Sequence, residues 1–476
     1  MKMLIESFSG IRGLYEEDIT EEVIINYTQS FVNFLKKKNQ SIKIVLGMDT
    51  RESSNSINEL MKKTLLEQGA DVVDVGFNTT PAIQQGVRYF KADGGIIITA
   101  SHNEPEYNGW KFLRNTGSVL KPEEIQEVIQ TRGSIDVQKS ENKGTEENKE
   151  KELQENYIDF VLDILGEERM NKIKEANLKI AVDPNGGTAA TIIKQILEKL
   201  NVDVVCKNME LGIFNRLIEP NKESLASLAE SIDENNADLG AGWDCDGDRV
   251  ELVIPKYSVF SEKHGRVLSG QQVLALLVEE VLTDYNNGEK TVVINDATSD
   301  LVTEIAKKHN ADVLEVEVGE INVVEKMDEV NAIVGGEGSS SGGIFPPSKC
   351  RDGTLSLVLI LDLIAKRGKI TDILTEFPDY YTLRKKIECN PEKSIKLRKK
   401  LEELWNEQPY VKEIRKTGDE TGGFKIVMKD NSWVWYRASK TEAGIFRIIA
   451  DSTSKKSSED LLLKGEEIFL NSSNKT

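Results

Sequence analysis

Three stretches set far apart in the chain begin alike: "IKIVLGMDT" at Ile42, "LKIAVDPNGGTA" at Leu178 and "KTVVINDATSD" at Lys290. Each is an apolar, β-branched run that breaks at an Asp- or Asn-bearing turn and continues as amphipathic helical sequence. Downstream of each comes a second short apolar run ending in an unusual loop: "GGIIITASHN", "ADLGAGWDCDGDR" and "NAIVGGEGSSSGG". The recurrence predicts three similar α/β domains with mixed sheets. Length agrees, because 476 residues exceed what one core organises and domains run to roughly 100–200 residues. In such domains ligands gather at the carboxyl ends of the strands, so the three loops are expected around one central cleft.

The last hundred or so residues read differently. A charged helical stretch from Lys396 to Asn406 precedes "GFKIVM" and "SWVWYRAS", strand-like runs joined by a "KDN" turn, and then "GIFRIIA" and a terminal helix. This predicts a smaller C-terminal α+β domain with an antiparallel sheet. The expected division is 1–150, 151–257, 258–370 and 371–476. Between the first two domains, "VQKSENKGTEENKEKELQEN" is charged and nearly free of apolar residues, which predicts an exposed loop leading into a helix. "LSLVLILDLIA" from Leu355 is interrupted by Asp362 and far shorter than the ~20 residues that span a bilayer, so it reads as a buried helix.

Lys and Arg total 61 against 80 Asp and Glu, a net charge of −19. That field repels nucleic acid and anionic membrane, and any anionic ligand must be caught by local cations. Cys206, Cys245, Cys350 and Cys389 are widely separated and show neither CxxC nor Cys/His ligand spacing, which points to no disulfide framework or zinc site. "MKMLIESFSG" lacks the apolar core of a signal peptide, and a cytoplasmic location is expected.

The loops carry the chemistry. Asp244, Asp246 and Asp248 of "DCDGDR" alternate, and three carboxylates so close repel unless a cation or full solvation relieves them. Arg249 at the sixth position and Pro255 at the twelfth exclude an EF-hand, leaving a hard divalent ion or a solvated acidic turn. Ser101 and His102 are neighbours, which in an extended chain point to opposite faces, and no GxSxG elbow exists, so hydrolase chemistry is disfavoured against an ordinary polar turn. "GGEGSSSGG" lacks both GxGxxG in register and GK[ST]; Glu337 there either accepts hydrogen bonds from vicinal hydroxyls or sits in a flexible connector. "RASKTE" offers Arg437, hydroxyls and Lys440 after a strand, suited to a phosphate or equally to a solvated edge.

Taken together and in order, "TASHNEPEYNGWK", "DCDGDR", "GGEG" and "RASKTE" resemble the signature loops of the α-D-phosphohexomutase superfamily of phosphoglucomutases, phosphomannomutases and phosphoglucosamine mutases. The resemblance covers essentially the whole chain, with "FSGIRG", "GMDTR" and "FNRLIEP" as weaker matches. "VGEINVVEKM" and "GGEGSSSGGIFPP" are most similar to the archaeal-type phosphoglucosamine mutase branch. It implies an isomerase, an intramolecular phosphotransferase interconverting hexose 6-phosphate and hexose 1-phosphate through a phosphoserine at Ser101 and a 1,6-bisphosphate, which serves as activator and intermediate. Mg²⁺ is implied at Ser101, Asp244, Asp246 and Asp248, and catalytic support from Lys111, Arg12, Arg249 and His102. Glu337 and Ser339 are implied at the sugar, and Arg437, Ser439, Lys440 and Thr441 at the distal phosphate. The expected partner is a small phosphosugar, favouring glucosamine phosphate with activity on glucose and mannose phosphates; both monomer and homo-oligomer stay open. The alternatives are phosphoglucomutase or phosphomannomutase as the main role, or a non-catalytic phosphosugar-binding protein. The chain departs from the pattern at Glu104, where Pro is usual, at Lys440 for Gly and at Ala443 for Pro. Where some relatives have loop histidines in the third domain, it has Glu320 and serines.

Overall fold

A computed structural model describes residues 4–7, 9–133, 140, 142–286, 288–439 and 444–473. The chain forms two compact units, Met1–Leu268 with Gly342–Ile373, and Ser269–Ser341 with Leu374–Thr476.

The first unit holds two sheets. One has seven strands in the order Ile5–Ser7, Gly10–Leu14, Tyr107–Arg114, Gly94–Ile98, Lys43–Met48, Asp71–Phe77 and Glu146–Asn148. The last four run parallel, and Tyr107–Arg114 and the two N-terminal strands pair antiparallel. Period-two alternation sorts the side chains: Ile44, Leu46 and Met48 enter a core with Ile24, Phe31, Ile57 and Val128 from helices Glu21–Lys36, Glu52–Glu67 and Pro122–Thr131. On the opposite face, a side chain at Gly47 would collide with Ile83 of helix Thr80–Tyr89. The second sheet is ordered Val250–Val253, Leu239–Trp243, Lys179–Asp183 and Asp203–Cys206, antiparallel only at its first pair.

The expected buried helix is Gly353–Arg367, begun by Asp352, whose carboxylate accepts from Leu355 N–H. Every residue from Gly353 to Ile364 is buried, so it must be enclosed on all sides; it packs on Glu150–Leu165, Glu167–Glu175 and strand Val250–Val253. That enclosure groups residues 342–373 with the first unit, whereas the sequence reading has 342–370 in the stretch 258–370 and 371–373 in the last stretch. The charged stretch read as an exposed loop also differs in part: Glu146–Asn148 pairs as an edge strand with Asp71–Phe77 before helix Glu150–Leu165. Its side chains are all exposed, with Lys62 bridging Glu146 and Asp74 of the neighbouring strand, so the pairing leaves no apolar pattern to read. Residues 137–139 and 141 of that stretch lie outside the described residues.

In the second unit, Asp312–Val316, Thr291–Asn295 and Val334–Gly336 form parallel pairs in that order, with helices Gly270–Asp284, Asp300–Lys308 and Glu320–Val330. A five-stranded antiparallel sheet follows, ordered Tyr381–Glu388, Ile445–Ser452, Trp433–Ala438, Phe424–Met428 and Val411–Lys416. One face buries Val434, Tyr436 and Ile448 against helices Ser394–Asn406 and Lys455–Ser473. The other buries Trp433, Trp435 and Ile449 against Ala297 and Val318. Among the described residues no helix is long and apolar enough to cross a membrane.

Candidate active site

The loop after strand Gly94–Ile98 turns sharply at Ser101, whose φ of +54° is left-handed and rare for a residue with a side chain. Its hydroxyl is buried and lies 3.3 Å from Asp244 Oδ2, and its N–H donates to Thr99 Oγ1 at 2.8 Å. The loop after Leu239–Trp243 brings Asp244, Asp246 and Asp248 to the same place, each 1% exposed. Gly247 permits the turn, with φ +68° and Thr79 Cγ2 only 2.9 Å from where a Cβ would stand.

The cations are arranged around this acidic knot. Lys111 Nζ sits 2.8 Å from Asp246 Oδ2 and 3.5 Å from Asp248 Oδ2. Arg249 Nε approaches Asp244 at 3.8 Å and Asp248 at 3.9 Å, and Arg351 Nη2 reaches Asp248 at 3.4 Å. Thr80 donates its hydroxyl to Asp246 Oδ2 at 2.7 Å and its N–H to the Asp246 carbonyl at 2.8 Å. Arg12 donates to Asn103 Oδ1 at 3.3 Å, in the serine loop, and burial lowers its guanidinium to about 10.

The carboxylates respond unequally. Burial, then the charges of Asp248 and Asp246, push Asp244 well above the usual range. Burial also opposes ionisation of Asp248, but Lys111, Arg351 and Arg249 hold it well below. Asp246 is held low by Lys111 and Thr80 against burial and Asp248. Desolvation and mutual repulsion thus disfavour ionising all three together, and a further cation would relieve both. Ligand atoms of the three lie within 4.8 Å of one another, and Asp246 Oδ1 and Asp248 Oδ1 are buried with no hydrogen-bond donor among the described residues. This donor set, all hard oxygen, fits a divalent cation such as Mg²⁺. His102 is driven well below its usual value by Arg249's charge and then by burial, so the imidazole is neutral, with Nδ1 buried and unpartnered. Glu104 accepts from Ile218 N–H at 3.3 Å, tying the serine loop to the "FNRLIEP" segment. Arg216 of that segment binds Asp183 Oδ2 at 3.1 Å and the Trp243 carbonyl at 2.8 Å, bracing the strand that ends in the acidic turn.

Reading from the sequence missed the strongest brace. Arg51, fully buried, pairs with Asp49 and donates Nη2 to the carbonyls of Ser101, at 2.8 Å, and of Asn103. Its signal was present in "GMDTR", the turn after the first parallel strand, but nothing in that motif says what its arginine holds. Arg351, a single basic residue outside any motif, left no signal at all.

In the second unit, Glu337 follows strand Val334–Gly336 and is 6% exposed. Its Oε1 accepts from Asn295 Nδ2 at 2.9 Å and from Gly319 N–H at 2.8 Å. Asn295 Nδ2 also lies 3.3 Å from Ser339 Oγ, and Gly338 N–H donates to Thr298 Oγ1 at 3.1 Å. The loop is therefore held in one shape by the end of strand Thr291–Asn295. Arg437, 7% exposed at the end of strand Trp433–Ala438, pairs with Glu317 at 2.7 Å. Ser439 donates its N–H to the Ile445 carbonyl at 2.7 Å. Lys440 and Thr441, expected at the phosphate, lie outside the described residues, as does Ala443.

Family models described as phosphoglucomutase/phosphomannomutase, alpha/beta/alpha domains I, II and III, match residues 5–138, 155–256 and 269–381. A "Phosphoglucomutase/phosphomannomutase" from Thermococcus kodakarensis is 33% identical, with 97% of each chain covered. A "Probable phosphoglucosamine mutase" from Pyrococcus abyssi is 30% identical over 97% of this chain and 96% of its own. In fold, the chain is similar to a crystal structure of a phosphoglucomutase/phosphomannomutase family protein from Burkholderia thailandensis, with TM-score 0.80 at 20% identity, covering 99% of this chain and 97% of that one.

Proposed function

Because the chain belongs to the phosphoglucomutase/phosphomannomutase family of the α-D-phosphohexomutase superfamily, isomerases acting by intramolecular phosphotransfer, we propose that it interconverts hexose 6-phosphate and hexose 1-phosphate through a phosphorylated Ser101. The observation that carries this reading is the burial of the Ser101 hydroxyl 3.3 Å from Asp244, beside two more carboxylates, Lys111 and Arg249.

Phosphoryl transfer asks mainly for alignment and charge neutralisation. Asp244, Asp246 and Asp248, with an oxygen of phosphorylated Ser101, hold Mg²⁺ in this reading, and when bound the ion supplies neutralisation of the phosphoryl group. Arg51 fixes the serine backbone so that the phosphorus faces the incoming hydroxyl. A free sugar hydroxyl attacks that phosphorus, the bond to Ser101 Oγ breaks, and the hydroxyl proton passes to an acceptor, for which neutral His102 is the candidate. Lys111, Arg12 and Arg249 offset charge on the phosphoryl oxygens. The bound sugar is then a 1,6-bisphosphate; Ser101 takes back the other phosphoryl group, and the isomer leaves. Glu337 and Ser339 read the sugar hydroxyls, and Arg437 and Ser439, with Lys440 and Thr441, grip the phosphate that is not reacting.

The proposed substrate is glucosamine phosphate, with turnover of glucose and mannose phosphates. Support comes from relatives at 30% and 33% identity whose names carry these different sugars. It also comes from chemistry: a carboxylate reading vicinal hydroxyls away from C2 meets features all three share, and strong rejection requires a buried polar group that the wrong sugar leaves unpaired. The test is equilibration of each sugar's 1- and 6-phosphates with Mg²⁺ and a trace of hexose 1,6-bisphosphate. Turnover of all three supports the reading. A kcat/KM ratio beyond about 10⁴ for one sugar contradicts shared recognition, and binding without any turnover favours a phosphosugar-binding protein.

A further inference from the structure

Arg437, the arginine assigned above to the distal phosphate, already has an anion. Its Nη2 donates to Glu317 Oε1 at 2.7 Å, with the two side chains 7% and 14% exposed. Glu317 follows strand Asp312–Val316 and adds negative charge beside a guanidinium read as binding anions. The pair is closely built. Gly418, with φ +65°, lies so close that a Cβ there would stand 2.1 Å from Glu317 Oε2, and the same loop's Thr417 bonds Asp296. Yet the guanidinium is not used up: Arg437 Nε is buried without a hydrogen-bond partner among the described residues. A fork with one arm on a carboxylate and a buried donor left over keeps hydrogen-bonding capacity that a phosphate can take up.

We propose that Glu317 is a stand-in for the substrate's phosphate at Arg437, a residue that competes with it and so sets how tightly the distal phosphoryl group is held. The proposal rests on the reading of Arg437 as phosphate-binding. It has a chemical purpose there. A bisphosphate that must present first one phosphoryl group and then the other to Ser101 is hindered by a phosphate site that does not let go, and uniformly tight binding lowers KM without raising kcat. A carboxylate ready to take back the guanidinium keeps the arginine in place while weakening its grip.

The test titrates inorganic phosphate into the purified full chain and its variants by calorimetry. Glu317→Gln keeps the shape and removes the charge, and it should bind phosphate about tenfold more tightly than the parent, toward the lower end of what a charge-assisted hydrogen bond supplies. The gain should vanish in Glu317→Gln/Arg437→Gln. In turnover, Glu317→Gln should lower KM for both the 1- and the 6-phosphate while kcat falls or stays level. A side chain that only supports the fold would raise KM or leave it unchanged. Equal or weaker phosphate binding by folded Glu317→Gln, where Arg437→Gln does weaken it, overturns the competitor. No effect of Arg437→Gln in either background overturns the phosphate reading of Arg437 itself. If Glu317→Gln does not fold, Glu317→Ser gives the same readings.

Discussion

The acidic turn of the first unit and the basic strand end of the second hold their charges in opposite ways. At Asp244, Asp246 and Asp248 three buried carboxylates share Lys111, Arg249 and Arg351, and the imbalance shows in Asp244, pushed well above its usual value. At Arg437 one buried guanidinium is met by one carboxylate, Glu317. At the first site desolvation and the neighbouring carboxylates disfavour ionising Asp244, which a bound cation would relieve; at the second, in the phosphate-binding reading, Arg437 exchanges Glu317 for the substrate's anion. Deleting negative charge should therefore do harm at one and tighten anion binding at the other.

The largest effect is expected at the acidic turn. Asp246→Asn preserves shape but removes one charge, and kcat should fall by at least about 10³-fold, with Mg²⁺ saturation moved to higher concentration. Chelation of the parent protein should mimic it reversibly. Activity indifferent both to chelator and to this substitution would break the contrast at its stronger end.

Next comes Arg51→Lys. The ammonium keeps the charge beside Asp49 but loses the fork that holds two carbonyls of the serine loop. A misplaced nucleophile costs on the order of 10²-fold in kcat with KM little changed. If KM rises and kcat holds, Arg51 acts on substrate binding rather than on the loop.

Arg437→Ala should weaken binding of both the 1- and the 6-phosphate by ~1.5–3 kcal/mol, the worth of a charged hydrogen bond. An effect on one ester only would mean that the strand end serves a single orientation of the sugar.

The last expected effect is on stability and not on activity. Asp352 is buried between Tyr157, whose hydroxyl lies 2.6 Å from both its oxygens, and the first turn of helix Gly353–Arg367, and burial raises it to about 6. The folded state therefore binds this proton more tightly than the unfolded chain. The resulting stability is fully present below the unfolded value near 4 and is lost as pH rises through about 6, for a contribution of ~3 kcal/mol. Asp352→Asn keeps the helix cap and should flatten the denaturation midpoint between about pH 4 and 6. An unchanged slope would place the titration elsewhere.

What the sequence disclosed follows the same division. The three strand-and-turn units and the buried helix were legible because β-branched runs and a largely apolar helix leave a pattern. Strands Tyr381–Glu388 and Val411–Lys416 lie at the edges of their sheet and bury none of their residues fully, so no alternation announced them. At the candidate site, the residues that sit in compact motifs were named in advance, and the structure gathers Ser101, Asp244, Asp246, Asp248, Lys111 and Arg249 in one place. The residues that hold them were not. Arg51 and Arg351 reach that cluster, and Asn295 and Glu317 reach Glu337 and Arg437, across separations of dozens of residues or more, through contacts that only the folded chain creates.

The most direct test of the central claim is peptide mass spectrometry of the protein after incubation with a hexose 1,6-bisphosphate and Mg²⁺, alongside Ser101→Ala. The expected result is one added phosphate on the peptide containing Ser101, absent from the variant together with all turnover. Phosphate found only on other peptides, or a Ser101→Ala protein that still interconverts the two esters, would contradict it.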